Sequence, residues 1–577
     1  MPIGVLSSYG LAVIAAMTAS CSSNEDLGTA GPGTGTNETG VGYATFTINL
    51  PSVSGTRAAD AGGAEMDEGT AKEYAVKSAT ALIFQKYGSD EGSCKFVESV
   101  DLPTAAADWT DDTTVGITTT KKLVAKLTNV DTKNQYYVLV LLNNNKNKTG
   151  GVKVALPTVG QSYNEWNSQI LTPSVDDLAA DNDFYMANAP LKGTASPTTL
   201  VTIDKEHIYS SKEKAEAGTS AATVYVERGV AKMSVTDPTT KTVIDKATNT
   251  PTQSTVEFNN WALDITNKKT YAVHNIDGLS TDFPAIWTTP RFIGTNSRVY
   301  WGKDPNYNLD HLNKTDKETE REAEFNFIKA TSGINKTFAE SAYCLENTFN
   351  LTNMYQGQTT RVIFKATYTP MDDAGNPLAD KDGTFYTIGN MTTILKEADL
   401  ETAVNTAATS VLPGCTVVYT NLKQEGSHVI TLADIKDSTG TTLVADQVYS
   451  GKTGTEIVKE INDKLGLIDG AEHAEAMVGI NTYAQGVTYY IARVKHFGSL
   501  TPWNSGESYG TDNDKYLGRY GMLRNNWYEL NVGNVYGPGY PGVPPVDPNQ
   551  PDDENEKYLS VSVKILSWAK RSDTVDL

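Results

Sequence analysis

"YATFTINL", residues 43–50, is the stretch whose reading decides the fold. Ala44, Phe46, Ile48 and Leu50 fall on one face and Thr45, Thr47 and Asn49 on the other, the period of two that marks a half-buried strand. Pro51, which has no N–H for a ladder, ends it. Next comes "VSGTRAADAGG", residues 53–63, small and flexible, with one basic residue, Arg57, that an arginine-specific protease could enter.

The same alternation recurs outward along the chain. Strands are predicted at 79–84, 116–130 and 136–142, the last ("YYVLVLL") apolar enough to be covered on both faces. Others fall at 222–235, with a break at Gly229, and at 256–265, 271–274, 359–368, 416–419, 487–494 and 527–532. An amphipathic helix is expected at 455–467, where Ile457, Val458, Ile461 and Leu465 share a face, with further helices at 317–329 and 397–411. The chain therefore reads as mainly β. Its 577 residues exceed what one core supports, since cores stop growing at about 250–300 residues. A domain boundary is expected near residue 222.

Both ends carry tethers. Residues 26–42 are Gly/Thr-rich, and residues 537–555 ("GPGYPGVPPVDPNQPDDEN") carry six prolines, a composition that reads as a semi-rigid spacer. After it, "KYLSVSVKILSW" (557–568) alternates again, with Leu559, Val561, Val563 and Ile565 on one face and Trp568 at its end. At the other terminus, the apolar run 11–17 followed by Thr18-Ala19-Ser20-Cys21 is similar to a bacterial lipoprotein signal with Cys21 as the lipidated residue.

Lys and Arg number 48 against 69 Asp and Glu, a net charge of -21 that repels phosphate backbones, so nucleic acid is not an expected partner. Cys94, Cys344 and Cys415 have neither CxxC nor metal-ligand spacing. The six histidines form no HExxH, and neither a GxSxG elbow nor a P-loop is present, so no enzyme, metal or cofactor is expected. Asp304, Asn306, Asn308 and Asp310 alternate like calcium ligands, but the glycine such a loop needs at its sixth place is missing, which favours a polar turn. Trp261, Trp287, Trp301, Trp503 and Trp527 could stack on sugars, although aromatics in β-sandwiches more often fill cores.

The two alternating ends fit one mechanism. A cut after Arg57 would take Ala44, Phe46, Ile48 and Leu50 from the first domain and leave a groove with unpaired backbone groups, which the tail strand of another copy could fill. Four such side chains supply about 6–12 kcal/mol gross at roughly 1.5–3 kcal/mol each. The alternative is that both remain edge strands of their own molecule and Arg57 is an ordinary loop residue. The pattern alone leaves both open.

The stretches 45–58 (TFTINLPSVSGTRA), 226–235 (VERGVAKMSV), 524–532 (RNNWYELNV) and 559–577 (LSVSVKILSWAKRSDTVDL) resemble the minor fimbrillin branch of the Bacteroidales type V pilus subunits. The resemblance implies two transthyretin-like β-sandwich domains with a few short helices, and a C-terminal donor strand on the Pro-rich spacer. It implies export as an outer-membrane lipoprotein with a palmitate-type anchor on Cys21, and cleavage between Arg57 and Ala58 by an extracellular arginine-specific protease. The displaced strand would be 43–50 and the donor strand Leu559–Trp568. The product would be an adhesive, virulence-associated surface fimbria built from this chain with accessory tip and anchor subunits. The implied plan is signal 1–21, propeptide 22–57, domains 58–222 and 223–536, spacer 537–556 and donor 557–577. Having both a cut site and a donor-like tail, the chain reads as a shaft subunit. A non-polymerising, glycan-binding surface lipoprotein is the competing reading.

Overall fold

Seven strands of the N-terminal half form one continuous ladder: β1 (Gly42–Asn49), β2 (Ala79–Gln85), β3 (Lys95–Leu102), β4 (Thr119–Leu127), β5 (Tyr136–Leu142), β6 (Met186–Asn188) and β7 (Ala222–Arg228). Their order is β3-β2-β5-β6-β7-β1-β4, with Thr110–Asp111 outside β4. The structure, a computed structural model, describes residues 35–37, 40–50, 66–67, 69–104, 110–111, 119–131, 133–146, 151–192, 197–284, 287, 299–307, 312, 314–348, 350, 352–389, 393–467, 478–496, 516–552 and 559–568. The first sheet turns over on itself: the Glu98 carboxylate of β3 accepts the N–H groups of Thr128 and Asn129, which follow β4, each at 3.0 Å. Phe46, Ile48, Leu82, Phe84, Leu139 and Val224 fill the enclosed core.

β1 departs from the half-buried expectation, because its polar face is covered too. Thr45 Oγ1 donates to the carbonyl of Ala215 in α2 (Lys212–Ala217) at 2.6 Å, Thr47 and Ser220 share a hydroxyl hydrogen bond of 2.7 Å, and Asn49 Oδ1 accepts from Thr120 at 2.7 Å. Short polar side chains can be buried when each finds a partner, so the alternation here separates apolar from hydrogen-bonded surface rather than inside from outside.

The chain leaves the first sheet at Gly229, within about ten residues of position 222, because β7 (Ala222–Arg228) is still part of that sheet. Gly229 packs so closely on Tyr185 that an added Cβ would lie 3.0 Å from the ring. The second sheet holds β8 (Ala231–Val235), β9 (Thr240–Asp245), β10 (Thr250–Asp264), β11 (Arg361–Thr369), β12 (Val487–Arg493), β13 (Asn526–Val535) and β14 (Leu559–Trp568). The order is β14-β13-β9-β10-β11-β12, with β8 also paired to β13. The architecture is mainly β, as the sequence predicts. Two local expectations fail: residues 271–274 join no ladder, and the helix expected at 317–329 is only α3 (Glu318–Glu324), because Phe325–Asn326 pairs with Thr266–Asn267 instead.

A larger departure lies between β11 and β12. These pair directly, Thr367 opposite Val487, yet the chain between them builds a second body with its own core of Ile388, Leu400, Val404, Ile430, Ile457 and Ile461. Its helices are α4 (Glu397–Val411) and α5 (Gly454–Leu465), the latter opened by a reciprocal Thr453/Glu456 cap and closed by Gly466 in the left-handed region (φ 67°). The single sandwich expected over 223–536 is thus a sheet carrying an inserted α/β module.

The proline-rich segment is not a free spacer over its described length. Arg361 Nη2 donates to the carbonyl of Pro544 at 2.7 Å, the Tyr483 and Tyr490 hydroxyls to the carbonyls of Gly539 and Gly537 at 3.0 and 2.8 Å, and Tyr540 pairs with Tyr489. Proline removes backbone donors but keeps acceptors, and the second domain supplies the donors.

Phe46→Ala is expected to lower the stability of the first domain by about 3–5 kcal/mol, read by urea unfolding, because the ring is wholly buried in the strand that joins β7 to β4.

Candidate assembly strands and the joint between the domains

The residues singled out as a displaced strand sit deep in the first sheet. Ala44, Phe46 and Ile48 are 0% exposed and Leu50 1%. β1 runs antiparallel to β4 over its whole length, Gly42 opposite Leu127 to Asn49 opposite Thr120, and parallel to β7 from Phe46 opposite Ala222 to Asn49 opposite Tyr225. Tyr43 and Ala44 also pair with Ile208–Tyr209. It is an interior strand, and both edges of its backbone are engaged. Arg57, Ala58 and Cys21 lie outside the described residues.

The tail strand β14 lies antiparallel on β13. Val561, Val563 and Ile565 stand opposite Val532, Leu530 and Tyr528, and Leu559 opposite Val535 after a register shift. Those four residues of β13 are buried in the second core. At the other end, Ser567 and Trp568 pair in parallel with Met66 and Asp67, so the chain that follows the Arg57 stretch returns to the tail strand. In this molecule each alternating strand is seated in its own domain, β1 in the first sheet and β14 in the second.

Between the two sheets lies a joint that the sequence did not announce. Glu73, in the helical turn α1 (Ala71–Tyr74) just before β2, takes Lys232 Nζ of β8 at 2.9 Å, the Tyr343 hydroxyl at 2.5 Å and the Thr70 N–H at 2.6 Å. Its carbonyl accepts from Arg228 Nε at 3.0 Å, and the Lys232 ammonium lies 3.5 Å from the centre of the Trp527 ring. Burial pushes the Glu73 carboxyl up, but the Lys232 charge and the hydrogen bonds together hold it below its ordinary value.

A second cluster adjoins it. His274 Nδ1 lies 2.9 Å from Glu227 of β7 and its Nε2 3.8 Å from Glu346, whose other oxygen accepts from Arg524 Nε at 3.0 Å. Burial works against the Arg524 charge, and Glu346 and Glu227 more than restore it. Residues 271–274, which join no ladder, present His274 to this cluster.

The remaining chemical candidates have structural places. Asp304 accepts from the Asn306 and Thr348 N–H groups at 2.9 and 3.0 Å and from Asn267 Nδ2 at 2.6 Å, so donors of its own chain occupy the carboxylate; burial pushes it up to about 7. Among the described residues no His/Cys/Asp/Glu group could hold a metal ion. Trp261 and Trp301 are core residues, Trp527 packs under Lys232, and Cys94, Cys344 and Cys415 are buried free thiols.

The C-terminal region has an identifiable kinship. Residues 481–574 match the family model for the major fimbrial subunit protein type IV, fimbrillin, C-terminal. The matched region takes in β12, β13, the proline-rich segment and β14. A search of curated protein sequences finds no match. Among solved structures, a candidate cell adhesion protein of Parabacteroides distasonis is 9% identical, with a TM-score of 0.36 over 91% of this chain and 97% of that one. A fimbrial assembly protein of the same organism is 13% identical, with a TM-score of 0.25 over 58% and 87%. The structural likenesses carry no weight at these scores. The family match, confined to the C-terminal region, is what links this chain to fimbrial subunits.

Glu73→Gln should destabilise the protein at neutral pH by about 3–5 kcal/mol, because it removes the buried carboxylate that faces the Lys232 ammonium at 2.9 Å across the joint. A carboxyl held low contributes stability above the ordinary Glu range, roughly pH 4.3, and loses it as pH falls through the lowered value. The variant should therefore lose less stability than the parent on acidification below about pH 4, measured as urea midpoints against pH. Arg524→Met should resolve the thermal transition into two, visible by calorimetry, since it removes the buried guanidinium that offsets the charges of Glu346 and Glu227 in the joint.

Proposed function

We propose that the chain is a shaft subunit of an adhesive surface fimbria, of the minor fimbrillin kind. In this reading it is exported with a lipid on Cys21, an arginine-specific protease cuts between Arg57 and Ala58, and the segment bearing β1 departs. The tail strand of another copy, with Leu559, Val561, Val563, Ile565 and Trp568, then takes the vacated place. Accessory tip and anchor subunits complete the fibre.

The observation that carries the reading is the place of β1. An interior strand with hydrogen-bonded neighbours on both sides, joined to the chain through a stretch holding a lone arginine, is one whose loss opens a slot with two unpaired backbone edges and an apolar floor. β14 has the length and alternation to fill such a slot, ten residues against eight, and it belongs to the region that matches the fimbrillin model. Because β14 is seated on β13 in the uncut chain, exchange requires it to leave β13 as well as β1 to leave its sheet.

Electrophoresis without boiling, before and after limited trypsin treatment, tests this. A ladder of species appearing only after the cut is expected, while Arg57→Ala and deletion of residues 557–577 should each leave a single band. A lone band from the cut parent chain overturns strand exchange and favours a monomeric glycan-binding protein. Full-length polymers formed by the Arg57→Ala protein overturn the role of the cut.

A further inference from the structure

A cavity of about 430 Å3 lies on the second domain between α3, the stretch Phe327–Lys329 and residues 543–549 of the proline-rich segment. Three cations line it: Arg321, Lys329 and Arg361. Two are committed. Lys329 pairs with Glu322 and Glu318, and Arg361 holds Asp264 at 2.8 Å and the Pro544 carbonyl at 2.7 Å.

Arg321 differs. Its residue is 6% exposed, and Nη1 alone is occupied, donating to the carbonyls of Leu312 at 2.7 Å and of Lys314. Nε and Nη2 meet no acceptor among the described residues, and no carboxylate there lies within ion-pair distance of the guanidinium. Burial lowers its pKa from the ordinary arginine value, against the nearby charges of Glu318, Asp316 and Glu322 that raise it. Arginine does not give up its proton in proteins, so the charge remains, with a planar pair of donors suited to a carboxylate.

The other walls narrow the chemistry. Phe327, Val543, Pro544 and Val546 are apolar, while Asp547 and Glu318 are acceptors at the same rim. A dianion such as phosphate would meet Glu318, Glu322 and Asp547, and a purely apolar guest would leave Arg321 unanswered. A ligand with one carboxylate, several hydroxyls and a flat apolar face answers all three surfaces, and the volume falls within the range of small-molecule sites.

We propose that this cavity is a binding site for an acidic sugar residue, its carboxylate on Arg321, its hydroxyls on Asp547 and Glu318, and its ring face against Phe327 and Pro544. The site lies away from β1 and does not depend on the assembly reading, because it is complete in the uncut chain.

The test is calorimetric titration of the uncut full-length protein with D-glucuronate, N-acetylneuraminate and D-glucose. Saturable binding of at least one of the two acids is expected, with glucose about tenfold weaker or more. Arg321→Gln should weaken the acid by a similar factor. Because that variant gives up two structural hydrogen bonds, Val543→Trp, which fills the cavity and leaves Arg321 intact, serves as the second variant and should abolish binding while melting like the parent. Failure of both acids to bind, equal affinity for glucose, or parental affinity in Val543→Trp overturns the proposal.

Discussion

The hydrogen-bond ladder on both sides of β1 is the constraint from which the first domain follows. β4 and the short strand beyond it reach the rest of the sheet through β1, and the carboxylate of Glu98 is what ties β3 back to the end of β4. Parallel pairing to β7 on one side and antiparallel pairing to β4 on the other also fix polarity. Any strand that occupies this place must run the same way and bring an apolar residue to every second position, since a one-residue slip would turn the apolar set away from Leu82, Leu139 and Val224.

Much of this was legible from pattern. The alternation in 43–50, the apolar run 136–142, the helices 397–411 and 455–467 and the tail strand all fall where the residues put them, because each element's period is local information. What escaped depends on partners remote in the chain. The polar face of β1 looked solvated because nothing near Thr45 says that Ala215 will cover it. The proline-rich segment looked free because its acceptors are met by Arg361, Tyr483 and Tyr490 from other strands. The inserted module was invisible because β11 and β12 are neighbours in space and separated by residues 370–486 in sequence. Of the proposed maturation sites, the strand residues have a place in the fold, while Cys21, Arg57 and Ala58 lie outside the described residues.

The joint between the domains is ionic where it could have been apolar. Buried charges add little net stability compared with well-packed hydrophobic groups, but they tolerate few alternative arrangements, since displacing one partner strands the other. Glu73 with Lys232, and Glu227 with His274, Glu346 and Arg524, therefore specify one relative placement of the two sheets rather than a family of similar ones.

The docking of the proline-rich segment also limits how far the tail can travel. It is held against the second domain as far as Asp552, whose N–H donates to the Met354 carbonyl at 3.1 Å. Seven residue steps later β14 begins, at Leu559. Fully extended, that stretch reaches about 25 Å. A strand passed to a neighbour without peeling the segment away must find its slot inside that radius, which makes the repeat distance and angle of a filament a property of where Asp552 is pinned.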